Sequence, residues 1–259
     1  MRGNELLYFD GLMRLPEWRA LVPLIERIGG NPAGVLPRLA LYARLVLAWN
    51  ATVSNLVSRN DEGRIVSRHI RESIEPAAML AATGVVDWLD FGSGAGFPAL
   101  PLAILDVGSQ WTLVESRRPK ALFLRRATQE LALDGVRVVH ARLEDVVAEG
   151  GSGSAASGPP DSIGAGTPAI PSRGEPGAEP ARRTSGLGGF TSRATVGLVR
   201  TLELASHVLR PGGSAFLWKG SRRSDELAER DQWSHRWALD SEIVLSGGEV
   251  AVCSFIFKG

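Results

Sequence analysis

Apolar positions in the first third of the chain repeat at helical spacing. Leu36, Leu39, Ala43, Val46 and Leu47 fall on one stripe, Pro16 suits a first helical turn, and Gly29-Gly30 ends that segment. A further helix is predicted from about Ser67 through His69, Ile70 and Ile74, with Pro76 kinking or ending it. Residues 1–84 therefore read as a helical cap. From Val85 the pattern changes to short apolar runs alternating with amphipathic stretches. Strands are predicted at Val85–Phe91, Trp111–Glu115 and Val136–His140, with helices at about Pro98–Leu105 and Pro119–Leu133 between them. A short strand near Phe190, a helix over Thr195–Leu209, a Pro211-Gly212-Gly213 turn, and strands at Ser214–Trp218 and Val250–Phe257 complete the reading. Strand–helix alternation of this kind predicts an α/β fold with a doubly wound, Rossmann-like parallel sheet, and the last two strands suit an antiparallel edge.

One stretch breaks the alternation. Residues 148–189 hold 11 Gly, 6 Pro and 6 Ser in 42 positions, and their larger apolar side chains are Ile163, Ile170 and Leu187. Such a composition cannot bury enough surface to offset its ordering entropy, so it reads as a solvated insert. The expected organisation is a cap at 1–84 and a second domain at 85–259, interrupted at 148–189.

Composition narrows the function. Of 259 residues 44% are hydrophobic and 22% charged, and the formal net charge is +1, so overall charge points to no acidic partner. The basic residues are nearly all arginine; Lys120, Lys219 and Lys258 are the lysines. Arginine doublets at 117–118, 125–126, 182–183 and 222–223 could still form a local phosphate-binding face. Cys253 is the single cysteine, which excludes an intrachain disulfide framework and a cysteine-cluster metal site. Met1–Asp10 has no apolar signal core, and Leu39–Trp49 is too short to span a bilayer and carries Arg44. A soluble, cytoplasmic protein without metal or membrane partner is expected.

The candidate chemistry sits where the first strand ends, in Asp90-Phe91-Gly92-Ser93-Gly94-Ala95-Gly96-Phe97-Pro98. Alternate glycines let the backbone turn sharply at a strand's carboxyl end and approach a ligand closely. Glu115, at the tip of the next strand, is placed to accept the hydroxyls of a ribose. A dinucleotide fingerprint wants its third glycine where Phe97 stands. The spacing Asp-x-Gly-x-Gly-x-Gly instead resembles the first motif of S-adenosylmethionine-dependent methyltransferases. A dinucleotide site or a ligand-free glycine turn remain the alternatives at this point.

A longer ordered set sharpens the comparison. Trp49-Asn50, Asn55-Leu56, Arg68-His69-Ile70 and Ser73 precede the glycine string and its two prolines over 92–104. Lys120–Leu124, Leu131, Arg142-Leu143-Glu144, Ser192-Arg193-Ala194 and Lys219-Gly220 follow. From about residue 36 to 220 this resembles the bacterial small-subunit ribosomal RNA methyltransferase G family, also called glucose-inhibited division protein B. The resemblance implies a helical cap on a class I methyltransferase sheet. It also implies methyl transfer from S-adenosylmethionine to guanine N7 in the 530 loop of 16S rRNA, on naked RNA or a ribosomal particle. By motif match, Gly92, Gly94, Gly96 and Phe97 would line the cofactor with Glu115, Leu143 and Glu144 would lie beside the adenine, and Arg193 would close the site. The chain departs from the pattern at Glu115, where Asp is common, and at Thr195, where an aromatic is frequent. It departs again at Glu249-Val250, where the family often has arginine, and in its long insert.

Guanine N7 carries a free in-plane lone pair, so its methylation needs alignment and electrostatics rather than a general base. That suits a chain with four scattered histidines and no nucleophile–base arrangement. Arg193 is then a positioning group; Arg68 and His69 are candidates for an RNA or interdomain role, against a structural hydrogen bond, and Lys219 for a phosphate contact, against a solvated strand end. His140 and Trp88, Trp111 and Trp218 are expected to be structural. Two other functions compete: a methyltransferase of the same fold acting on a small molecule or another RNA, and a ribosome-binding module without catalysis.

Overall fold

The computed structural model describes residues 10–53, 55–151, 186–193 and 195–259. The cap comprises α1 (Pro16–Arg19), α2 (Val22–Arg27), α3 (Pro32–Thr52), α4 (Arg59–Glu62), a π-helical turn at Ile65–Ile70, α5 (Arg71–Ile74) and α6 (Ala77–Ala82). Asn31 begins α3 by accepting the Ala33 N–H at 3.1 Å, and Pro32 fills the first turn, where no N–H is required. Gly84, at φ 66°, turns the chain out of the cap.

The second part alternates β1 (Asp87–Phe91), α7 (Ala99–Ile104), β2 (Gln110–Glu115), α8 (Arg118–Glu130), β3 (Val136–His140) and α9 (Leu143–Gly151). It continues with β4 (Leu187–Arg193), α10 (Leu198–Val208), β5 (Leu209–Lys219), α11 (Arg223–Ala228), α12 (Arg230–Trp233), β6 (Trp237–Val244) and β7 (Ala251–Phe257). The strand order is β3-β2-β1-β4-β5-β7-β6. Strands β1 to β5 run parallel to their neighbours, and β7 joins β5 and β6 antiparallel. Strand order reverses between β1 and β4, the point where open α/β sheets bind ligands at their carboxyl ends.

Successive strand residues point to opposite faces. Trp88, Trp111, Phe216 and Trp218 join the cap's Leu36, Leu39, Val46 and Ile70 in one core cluster. Leu89, Val114, Phe190, Leu217 and Phe255 pack with α10 on the other face. The cap thus shares a core with the sheet instead of owning one. The expected structural tryptophans are buried, and Trp88 stacks on Trp111 at 5.6 Å. Gly189, the β4 partner of Trp88, makes room for the indole, because a Cβ there would overlap the ring.

The structure corrects the sequence reading in four places. The insert was drawn too wide: α9 runs to Gly151 and β4 begins at Leu187, while 152–185 lie outside the described residues. Pro211-Gly212-Gly213 is not a turn between elements but a bulged stretch inside β5, where the β4 register shifts between Leu187 and Gly189. The helix expected from Ser67 begins at Ile65 as a π turn. Strand β6 was missed, because Asp240, Ser241 and Glu242 interrupt its apolar pattern and, as an edge, it buries little beyond Trp237. Among the described residues no helix is long and apolar enough to cross a membrane, and no group of three His, Cys, Asp or Glu could hold a metal.

Candidate active site

The glycine loop leaves β1 with Gly92, Gly94 and Gly96 at φ 67°, 58° and 94°, a region L side chains rarely adopt. Each does something different. A Cβ on Gly92 would lie 2.5 Å from Thr195 Cγ2, and one on Gly96 2.5 Å from Leu100 Cδ1, so both permit close packing. A Cβ on Gly94 would meet nothing nearer than the Gly92 carbonyl at 3.7 Å and Lys120 Nζ at 4.0 Å, both ordinary contacts, so the position is not crowded. The Gly94 N–H donates to Glu115 Oε2 at 2.8 Å, and the Arg117 N–H to Oε1 at 2.7 Å. Glu115 is buried, and a carboxylate has about four acceptor positions, so capacity remains for two hydroxyls. From the cap, the Tyr42 hydroxyl donates to the Ala95 carbonyl at 2.6 Å. Phe97 is held edge-on by Tyr42 and stacked by His69, with centroids 5.3 and 5.1 Å away.

Beneath the loop, Asp90 Oδ1 accepts from the Thr191 hydroxyl at 2.6 Å, while Oδ2 is buried without a hydrogen-bond partner among the described residues. Burial pushes this carboxyl up to about 7, against the pull of Thr191, and the Glu115 charge adds to the rise. A buried acceptor without a partner among the described residues, beside an uncrowded glycine backbone and a carboxylate with acceptor capacity to spare, fits the amine, methionine and ribose parts of an S-adenosylmethionine-type ligand. Asp90 and Glu115 would hold the polar ends, and the loop would pass along the middle.

Arg193 ends β4, next to the loop, as Ser192 pairs with Phe91. Its Nη2 donates to Glu72 Oε2 of the cap, Glu72 being buried and Arg193 nearly so, and Nη1 has no hydrogen-bond partner among the described residues. The Glu72 carbonyl in turn accepts from Trp218 Nε1 at 2.8 Å. Arg193 is therefore part of the cap–sheet junction, not a projecting strand end. Arg68 belongs to the same junction, 2.8 Å from Asp61 and 3.4 Å from Glu249 of the β6–β7 hairpin. Burial, reinforced by the Arg193 charge, lowers His69 to about 4, so its ring is neutral at physiological pH.

The remaining expected residues lie farther out along the same carboxyl edge. Leu143 is fully buried at the start of α9, and the half-exposed Glu144 sits 3.3 Å from Arg200. The Lys219 ammonium is 2.7 Å from Glu226. His140, at the end of β3, contacts the Ser116 carbonyl at 3.2 Å and is an edge histidine, as expected. Beside the glycine loop a cavity of about 200 Å³ opens between the ends of β4 and β5. Sequence reasoning missed Tyr42, Glu72 and the open oxygen of Asp90. Glu72 had a faint signal, standing four residues after Arg68 on a helix, but its partner lies 121 residues away.

Comparison with known proteins gives concordant findings. A family model described as rRNA small subunit methyltransferase G matches residues 36–154. Ribosomal RNA small subunit methyltransferase G of Stenotrophomonas maltophilia (strain K279a) is 31% identical over 200 residues, covering 77% of this chain and 76% of its own. The protein of that name from Nitrosomonas europaea is 34% identical over 140 residues, covering 54% of this chain and 59% of its own. Among solved structures, an O-methyltransferase from Bacillus cereus in complex with SAH superposes with a TM-score of 0.52 at 12% identity. It covers 85% of this chain and 90% of its own, a likeness of fold.

Proposed function

Since the chain belongs to the rRNA small subunit methyltransferase G family, we propose that it methylates N7 of a guanine in the 530 loop of 16S rRNA, with S-adenosylmethionine as donor. The carrying observation is the left-handed glycine loop at the β1/β4 switch point, tied to Glu115 through the Gly94 amide. Bound S-adenosylmethionine supplies an electrophilic sulfonium methyl, which the N7 lone pair takes while the C–S electron pair stays on sulfur.

The chain's own groups bind and align. Glu115 accepts ribose hydroxyls, Asp90 receives the amine, and Gly92, Gly94, Gly96 and Phe97 flank the middle of the donor. Leu143 and Glu144, after β3, lie on the adenine side. Arg193, fixed by Glu72, keeps a second nitrogen without a partner among the described residues and with it aligns donor and acceptor. No side chain has to remove a proton, and the neutral, stacked His69 is consistent with that. His69 and Arg68 act on RNA through the shape of the cap junction, whereas Lys219 stands at the acceptor side. The target guanine is an unstacked loop base, because the N7 edge is inaccessible inside an A-form helix. The substrate is small-subunit RNA or a ribosomal particle, and the work is done in the cytoplasm.

A net charge of +1 is the observation that favours a small-molecule acceptor. Locally, however, arginines gather at the carboxyl edge: Arg117-Arg118 follow β2, and Arg222-Arg223 line the cavity after β5. The deciding experiment maps N7-methylguanosine in small-subunit rRNA from cells with and without the protein, then restores it with pure enzyme. Identical maps would overturn the proposal.

A further inference from the structure

Building on that reading, we infer that the cavity between the ends of β4 and β5 receives the target guanine, and that Glu226 reads its Watson–Crick edge. Position comes first. Ser192 and Thr195 wall the cavity on the β4 side, Trp218 and Lys219 on the β5 side. Thr195 is also the residue against which Gly92 packs, so the cavity begins where the cofactor loop ends. About 200 Å³, half open to solvent, is room enough for a single extruded base.

The chemistry of the lining selects the base. Glu226, from α11, is the acid among the lining residues, and its side chain is 18% exposed. Lys219 Nζ fixes it, lying 2.7 Å from Oε2 while also donating to the Val196 carbonyl at 3.4 Å. A carboxylate is an acceptor only. Guanine presents two adjacent donors, N1–H and the 2-amino group, on its Watson–Crick edge, whereas adenine presents an acceptor at N1. A base held by Glu226 on that edge turns its opposite edge, bearing N7, back toward Thr195 and the glycine loop. When N7 takes the methyl, the purine gains positive charge and N1–H becomes a stronger donor. The bonds to Glu226 therefore tighten in the transition state, where they raise kcat as well as specificity.

The test compares methyl transfer to small-subunit rRNA carrying guanosine or inosine at the target position, as RNA and as assembled particles. Inosine lacks the 2-amino donor. Wild-type protein should lose at least roughly tenfold in kcat/KM on inosine, the effect of one hydrogen bond to a charged group. Glu226→Gln should lose roughly tenfold or more on guanosine, mainly in kcat, and its guanosine-to-inosine ratio should fall toward one; Glu226→Asp should recover part of both. Equal slowing on the two substrates, the signature of a structural role, overturns the inference. So does a wild-type enzyme indifferent to inosine, a result that stands even where the variant fails to fold. Absence of N7-methylguanosine from wild-type reactions on guanosine RNA overturns the rRNA reading itself and this inference with it, whereas methylation without discrimination removes the cavity assignment alone.

Discussion

Arg193 and Glu72 exchange a charge-assisted hydrogen bond in a buried setting, and each depends on the other for its solvation. Arg193→Ala would leave the buried Glu72 carboxylate with only the long contact to Arg68 Nε, 4.0 Å from Oε1, so the loss should be at most about 3–5 kcal/mol, and replacing both partners with Met should recover most of it. Urea midpoints of the single and double variants measure the difference; equal midpoints would show that the pair is solvated after all. Arg193→Lys separates stability from chemistry. It keeps a cation beside Glu72 but loses the planar fork, so the protein should remain folded while methyl transfer falls at least roughly tenfold. Asp90 yields a pH prediction. Around it stand Glu115 of β2, Thr191 of β4, Ser93 of the loop and Tyr42 of the cap. Because its folded value, about 7, lies above the ordinary 3.8, stability present below pH 4 is lost as pH rises through 7. Asp90→Asn should therefore raise the melting temperature of the ligand-free protein at pH 8. Calorimetry should also find donor affinity climbing through pH 7 in the wild type and flat in the variant.

Among the elements, the glycine loop was the most legible, because three alternate glycines after an apolar strand have few other uses. Its supports were not. The Tyr42 bond to Ala95 and the His69 stack on Phe97 come from the cap, and no local pattern announces a contact across some fifty or thirty residues. Strands β1 to β3 were readable as strands of a parallel sheet, with β3 placed to the residue. The edge strand β6 escaped because one of its faces is solvated and its sequence looks like a loop. Gly94→Val tests the loop directly. Its Cβ meets only ordinary contacts, so the fold should persist despite about 1–3 kcal/mol of strain for a β-branched residue at positive φ, while the added methyls would crowd the donor. S-adenosylmethionine binding should disappear from calorimetry while cooperative unfolding remains; unchanged affinity would move the donor elsewhere.

For the molecule as a whole, the cap and sheet share one core cluster, so the boundary read at residue 84 marks a change of texture rather than an independent unit. The composition break was equally plain, yet its limits were not: Gly188 and Gly189 look like insert and belong to β4, where glycine is required beside Trp88. Deleting 152–185 with a short Gly/Ser linker should leave unfolding cooperative and donor binding intact. Deleting 148–189 removes three residues of a central strand and should abolish both, as circular dichroism and calorimetry would show.

Strand β4 enters the middle of the sheet from the far side of the Gly/Pro/Ser-rich stretch, with β1 on one flank and β5 on the other. Cut at that stretch, each fragment would carry a complete apolar strand edge with nothing to pair it, an invitation to aggregate. Together the two edges are complementary in register, Trp88 to Gly189 and Phe91 to Ser192. Co-expressed as separate polypeptides, 1–151 and 186–259 should find one another and restore methyl transfer, making the enzyme a two-piece reporter whose activity registers the meeting of its halves.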